Sequence, residues 1–491
     1  MFRIKFIVTL GFAILMFVGC SSDRSLKYQY QVERMFLRAN KLYQKVLINP
    51  QIASDLDYHL AASAYEKVLT KLARPYSESV KNVRKQSYLN LAQLSLLQGE
   101  MRAAIKAYDA FLQEFPDDID LGLQVRLADA ECNERIFNLY GAANQYQDLI
   151  GKFGPLQDPL KPNLQILRLP LKVARLENTN QSESERSDSY KSAMIYYRSI
   201  LQKWPNSPAA FYALYYMASI YADQQKQEKA AHILKRIVEE YPESKEIPKV
   251  LFTLGNLYLD FLKMPNRAVE IFETVLVKYP DDDIRGYAYF SKARALVQKK
   301  NYEAARPLLH WIIENFPDDS NLGASAQLTI GYTYEKEGKW DRALVEYRWV
   351  QEEYPITVQG LQVPIYISQY YRRKGETQLS NNAFQQAVEQ YVHLVQKYPK
   401  TMLAGVAQEY IIYCYSAQNK WQKAAEAANS LRQIYPSSQS NISSYLLLGQ
   451  IYERLKQYQN AIAIYERFVK EYPQHPLITQ IESKIKALQR G

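Results

Sequence analysis

The chain has 491 residues, 47% of them hydrophobic, with 61 Lys and Arg against 51 Asp and Glu, a net charge of +10. That is ample apolar content for a folded chain and too much for a disordered one. Three cysteines in such a length exclude a disulfide-stapled scaffold, and five scattered histidines, His59, His232, His310, His393 and His475, have no metal-ligand spacing.

Taken in order, the first segment is an export signal. Arg3 and Lys5 form a charged start, Phe6–Phe17 is apolar, and Phe17-Val18-Gly19-Cys20 is a processing site. The run falls short of the roughly 20 apolar residues of a membrane span. A cysteine directly after the small residue resembles a bacterial lipobox, although Phe17 stands where that family usually has leucine. The resemblance implies that residues 1–19 are removed, that Cys20 becomes the acylated N-terminus, and that the net charge falls to +8 without Arg3 and Lys5. Ser21, rather than aspartate, after the cysteine resembles an address for the periplasmic face of the outer membrane. Residues 20–50 read as a short Ser-rich tether followed by a leading helix through Tyr43 and Val46.

From there a proline recurs at 75, 116, 155, 205, 242, 280, 317, 355, 399, 436 and 473, mostly 37 or 38 residues apart and usually preceded by an aromatic. A period in this range marks stacked supersecondary units. Each unit reads as two helices. In the last, Ser443–Leu455 and Tyr458–Tyr472 carry helical apolar stripes joined by Lys456-Gln457, and Pro473 ends the second. Twelve residues before the proline stands Ala104, Ala143, Ala193, Ala230, Ala268, Ala305, Ala343, Ala387, Ala424 or Ala461, small enough to let paired helices touch. Eight residues before it stands an aromatic in many units: Tyr108, Tyr197, Phe272, Tyr347, Tyr391 and Tyr465. These are expected to fill the space between neighbouring pairs.

Gly449, Tyr452, Ala461, Tyr465 and Pro473, and again Gly331, Tyr334, Ala343, Tyr347 and Pro355, resemble the frame of the tetratricopeptide repeat. The expected fold is therefore an all-α, tetratricopeptide-like α-solenoid of about eleven helix pairs. Irregular N-terminal repeats occupy 51–177, regular repeats 190–475 and a capping helix 476–491. Residues 178–189, NTNQSESERSDS, hold no aliphatic or aromatic side chain and read as a disordered loop inside a repeat. A second excess of seven residues, around 372–382, reads as a polar surface insertion.

Catalytic patterns are not found: no HExxH, no glycine-rich phosphate loop, no G-x-S-x-G elbow. Asp281-Asp282-Asp283 and Asp318-Asp319, beside the recurring proline, read as helix caps. Lys299-Lys300 and Arg372-Arg373-Lys374 read as solvated turns rather than a nucleic-acid patch. Cys132 and Cys414 read as small core residues. The chain is expected to be no enzyme and to need no cofactor, metal, nucleic acid or small-molecule substrate.

What remains is surface. In tetratricopeptide arrays the first helix of each pair lines the concave face, which implies contacts at Tyr212, Tyr215, Phe252, Tyr287, Phe290, Tyr332, Tyr413 and Tyr445. Lipobox and repeats together resemble the BamD-like outer-membrane assembly lipoproteins and the periplasmic cell-division coordinators, whose members bind proteins and catalyse nothing. That resemblance implies a lipid-anchored periplasmic scaffold for envelope proteins, such as barrel-assembly or secretion components. A peptidoglycan- or glycan-binding lipoprotein that stacks sugars on its aromatics is the alternative.

Overall fold

A computed structural model describes residues 23–71, 77–154, 158–180, 186–434, 440–473, 475 and 477–490. The export signal, Cys20 and Pro75 lie outside the described residues. Every regular element among those described is a helix. The first pair is α1 (Asp23–Ile48) with α2 (Asp55–Thr70), then α3 (Glu78–Gln98) with α4 (Met101–Glu114) and α5 (Ile119–Arg135) with α6 (Leu139–Phe153). A single turn, α7 (Leu164–Leu167), leads into α8 (Leu169–Asn180) with α9 (Arg186–Lys203). Next come α10 (Pro208–Asp223) with α11 (Gln227–Glu240), and α12 (Ile247–Asn256), extended by a π-helical turn Leu257–Phe261, with α13 (Pro265–Lys278). Then follow α14 (Arg285–Gln298) with α15 (Tyr302–Asn315) and α16 (Ser320–Lys336) with α17 (Trp340–Glu353). The last three pairs are α18 (Val358–Arg373) with α19 (Thr377–Lys397), α20 (Met402–Ala417) with α21 (Trp421–Ile434), and α22 (Ser440–Arg454) with α23 (Tyr458–Glu471), closed by α24 (Ile478–Arg490).

The alanine register does what its spacing requires. All ten of those alanines are buried where the two helices of a pair meet. Opposite, the first helix offers glycine: a Cβ on Gly331 would stand 2.5 Å from the Tyr347 ring, and one on Gly449 2.3 Å from that of Tyr465. The aromatic eight residues before the proline thus closes first on its own pair and only then reaches the next, as Tyr347 does toward Tyr366 at 5.3 Å. Its hydroxyl is anchored within the pair too. Tyr347 and Tyr465, and likewise Tyr146 nine residues before Pro155, each donate to the glutamate twelve residues upstream, Glu335, Glu453 and Glu134, at 2.8, 2.5 and 2.5 Å.

Turns repeat as faithfully as the core. Nine first helices end on a residue with positive φ: Gly99, Phe137, Gln225, Lys263, Lys300, Gly338, Gly375, Asn419 and Lys456. This left-handed residue turns the chain back while amides just beyond it bond the last helical carbonyls, as Lys339 N does to Tyr334 O at 2.9 Å. On the other side, residues just past the proline cap the next first helix. Ser207, Thr357, Thr401, Asp118 and Asp319 each accept from a backbone amide three residues on.

The expected leading helix through Tyr43 and Val46 is present as Asp23–Ile48, 26 residues long, and two expectations on organisation are corrected. Residues 178–180 end α8 and 186–189 open α9, so those parts of the expected loop are helical, and the rest of it, 181–185, lies outside the described residues. The surplus near 372–382 is no loop either, because it lengthens α19 to 21 residues where most second helices have 14.

Buried polar groups are few and placed between helices. Asp129 on α5 accepts from Gln145 Nε2 at 2.7 Å, while its Oδ1 is buried without a donor. Burial, with Asp109 nearby, pushes its carboxyl up to about 6. The unfolded chain ionises this group near pH 4, so the fold is progressively penalised as pH rises from about 4 to about 6, and fully above that. Asp129→Asn is expected to raise the unfolding temperature at about pH 7 and to lose that gain below about pH 4. Melts across this range test it, and a gain independent of pH would count against a desolvated carboxylate. Cys132 and Cys414 are buried, their thiols pushed up to about 12 by desolvation.

Candidate partner-binding surface

First helices of consecutive pairs touch one another as well as their partners: α14 meets α16, α16 meets α18, and α20 meets α22. That closer mutual approach puts them on the inside of the curve. Polar rungs tie them together along this inner side. Gln359 Nε2 donates to Ser325 Oγ at 2.8 Å, Gln369 Nε2 to Tyr413 Oη at 2.5 Å, and Arg294 pairs with Asp260 at 2.7 Å. Tyr215 Oη lies 3.5 Å from Thr253 Oγ1.

The expected contact residues divide into three groups. Tyr287, Tyr332 and Tyr413 are open, at 47%, 38% and 38% exposure. Tyr287 donates to Asp319 Oδ2 at 2.9 Å, and Lys336 Nζ stands 4.9 Å above the Tyr332 ring. Tyr212, Tyr215, Phe252 and Phe290 are half-buried, one edge in the core and one toward solvent. Tyr445 does not belong to the surface. It is 1% exposed, its hydroxyl donates to Glu471 at 2.8 Å, and its ring packs on Phe468 and Tyr472. Counting from the repeat frame put it inward, but the turn of α22 it occupies faces α23.

Sequence reasoning missed the polar members, Gln359, Gln369, Ser325 and Thr253, because single uncharged side chains leave no pattern until neighbouring helices are superposed at the 38-residue period. It also missed a closed aromatic cluster. Trp340 stacks on Tyr370 with ring centres 3.3 Å apart and 3° between planes, with Tyr371 against its edge. One face of that indole is therefore already covered by another ring of the protein.

The curve also returns on itself. Asp55 N donates to Lys400 O and Leu403 N donates to Gln51 O, both at 3.2 Å, and Ile52 packs into the core around Leu403. Farther along, the Phe137 and His475 rings meet at 4.6 Å. The first unit thus touches the tenth, and the third touches the end of the eleventh, so the inner aromatic face belongs to a closed turn rather than an open arc. Among the described residues no group of three His, Cys, Asp or Glu side chains is placed to share a metal ion, and no helix is long and apolar enough to cross a membrane.

Paired helices, small-residue contacts and an aromatic-lined inner face define a helical-repeat protein. The chain carries tetratricopeptide repeats: that family's repeat profile matches residues 86–118, 212–244, 249–282, 407–438 and 443–475, and a second tetratricopeptide profile matches 290–355. Proteins of this fold are typically non-catalytic scaffolds. No curated protein matches the chain in sequence. Similar solved structures include yeast Tom70, 13% identical over 94% of this chain and 96% of that one, with a TM-score of 0.39. A tetratricopeptide repeat protein from Parabacteroides merdae is 14% identical over 67% of this chain and 98% of that one, at 0.35. MamA from Desulfovibrio magneticus RS-1 is 17% identical over 38% and 96%, at 0.29. The fold assignment rests on the repeat frame itself, not on likenesses of this size.

Proposed function

We propose that the chain is a lipid-anchored scaffold on the periplasmic face of the bacterial outer membrane, holding envelope proteins against its inner aromatic face. Outer-membrane protein assembly, envelope maintenance and secretion are the roles that fit such a scaffold. The observation that carries this reading is the apolar run ending in Gly19-Cys20, three residues before the first described helix begins at Asp23. The protein-binding half is supported by Tyr287, Tyr332 and Tyr413, which offer large rigid area with a polar tip at low entropic cost.

Cys20→Ala is expected to leave the protein folded but unlipidated, since stable anchoring would reside in the acyl chains. Metabolic labelling with a fatty-acid analogue checks this, and label persisting on the substituted protein would reject the lipobox. For the partner, pull-downs from detergent-solubilised envelopes by wild type and by Tyr287→Ala/Tyr332→Ala/Tyr413→Ala are the comparison. Barrel or secretion proteins that depend on those tyrosines support the scaffold, whereas retention on purified cell-wall glycan would move the function to the polysaccharide.

A further inference from the structure

Helix α1 has two faces of opposite purpose. Val32, Ala39 and Val46 are buried against the first two units, beside Val68, Val80, Tyr58 and Tyr65. On the far side Leu26, Tyr30, Leu37 and Ile48 are each more than half exposed. At 100° per residue these four fall within about 40° of one another, a single stripe along the helix. Every exposed charged residue between Leu26 and Ile48 is a cation: Lys27, Arg34, Arg38, Lys41 and Lys45, all on one flank of the stripe. Lys45 is paired with Asp57, and Glu33, the acid of this stretch, is half-buried and bonded to Gln29 and Ser79.

A stripe of this kind on an end unit of a solenoid is left without the neighbour that covers it in interior units. Its chemistry selects the occupant. A second copy laid antiparallel on the same face, about a two-fold axis crossing the two helices, would oppose cation to cation. An anionic phospholipid surface matches both halves, taking the apolar side chains into the acyl boundary and the Lys and Arg at the headgroups. Position agrees. Cys20 lies three residues before the helix, at most about 11 Å of extended chain.

We propose that α1 lies on an anionic bilayer surface as a second membrane contact, orienting the repeat array instead of leaving it to swing from its N-terminus. This rests on the anchor at Cys20 and makes a separate claim. The test uses the full chain, purified from membranes and reconstituted on phosphatidylethanolamine–phosphatidylglycerol vesicles, with an environment-sensitive fluorophore at Leu26→Cys, Tyr30→Cys or Leu37→Cys. The buried Cys132 and Cys414 stay unlabelled, and Glu228→Cys on exposed α11 is the control. Quenching by nitroxide lipids is expected to be several-fold stronger at the α1 positions than at 228. With Lys27, Arg34, Arg38 and Lys41 changed to Gln, the ratio of docked to free helix should fall about fivefold per cation.

A chain held on vesicles with all three α1 labels in water overturns the docking and leaves the anchor standing. Failure to associate with Cys20 intact overturns both. Labels shielded from aqueous iodide before any vesicle is added would mean that protein, a second copy included, covers the stripe, and would also reject the proposal. So would lipid quenching that is unchanged in the Gln variant.

Discussion

Ala343→Trp is expected to destabilise the array by about 3 kcal/mol, with the damage confined to α15–α19. Ala343 is fully buried, in one core with Ala324, Tyr347, Val350 and Val363, where α16 and α17 approach closely. The space an indole would need is held by a ring that cannot retreat: Tyr347 lies against the bare backbone of Gly331 and is fixed at its other end to Glu335. Overpacking a site that cannot shift costs roughly 1–3 kcal/mol and occasionally more, and the largest side chain in the tightest register belongs at the top of that range. Confinement follows from repeat architecture, in which each unit leans on its neighbours. Hydrogen exchange measured segment by segment is the check. Protection should fall over α15–α19 and persist in α3–α6, whereas a uniform loss along the chain would mean one cooperative globule.

Much of this architecture is legible from proline, alanine and aromatic spacing because those positions obey local rules: the proline ends a helix and the alanine admits a close contact. The left-handed turn is less legible. Only Gly99, Gly338 and Gly375 announce it, while Phe137, Gln225, Lys263, Lys300, Asn419 and Lys456 take the same conformation with a Cβ. Packing of the pair evidently outweighs the steric cost of such a residue. Length anomalies misled for a related reason. A polar stretch such as 377–382 extends a helix as readily as it makes a loop when one side of that helix is solvated, so composition alone could not separate the two. Tyr445 and Tyr413 occupy equivalent-looking first helices, yet one is buried and the other open, because a half-turn of helix phase decides the matter and a repeat frame resolves it poorly. Least legible is the return of the first unit onto the tenth. It accumulates from small rotations per unit, and no local residue encodes it.

The second large effect expected is at the junction that holds the first unit to the second. Arg84 on α3 is buried, its Nε and Nη2 donating to the two oxygens of Glu114 at 2.6 and 2.7 Å and its Nη1 to Leu69 O at 2.7 Å. Tyr88 adds a fourth bond, from its hydroxyl to Glu114 Oε2 at 2.8 Å. One guanidinium therefore ties together the end of α2, the middle of α3 and the end of α4. Arg84→Met is expected to cost about 3–5 kcal/mol, because it strips a buried carboxylate of its paired cation and leaves the Leu69 carbonyl without this donor. Glu114→Leu should cost a similar amount for the mirror reason. The double variant should cost much less than the two together, since an apolar pair of similar volume carries no desolvated charge. Denaturant titration of the four chains gives the coupling directly, and additive losses would mean that the two groups do not act as a buried pair.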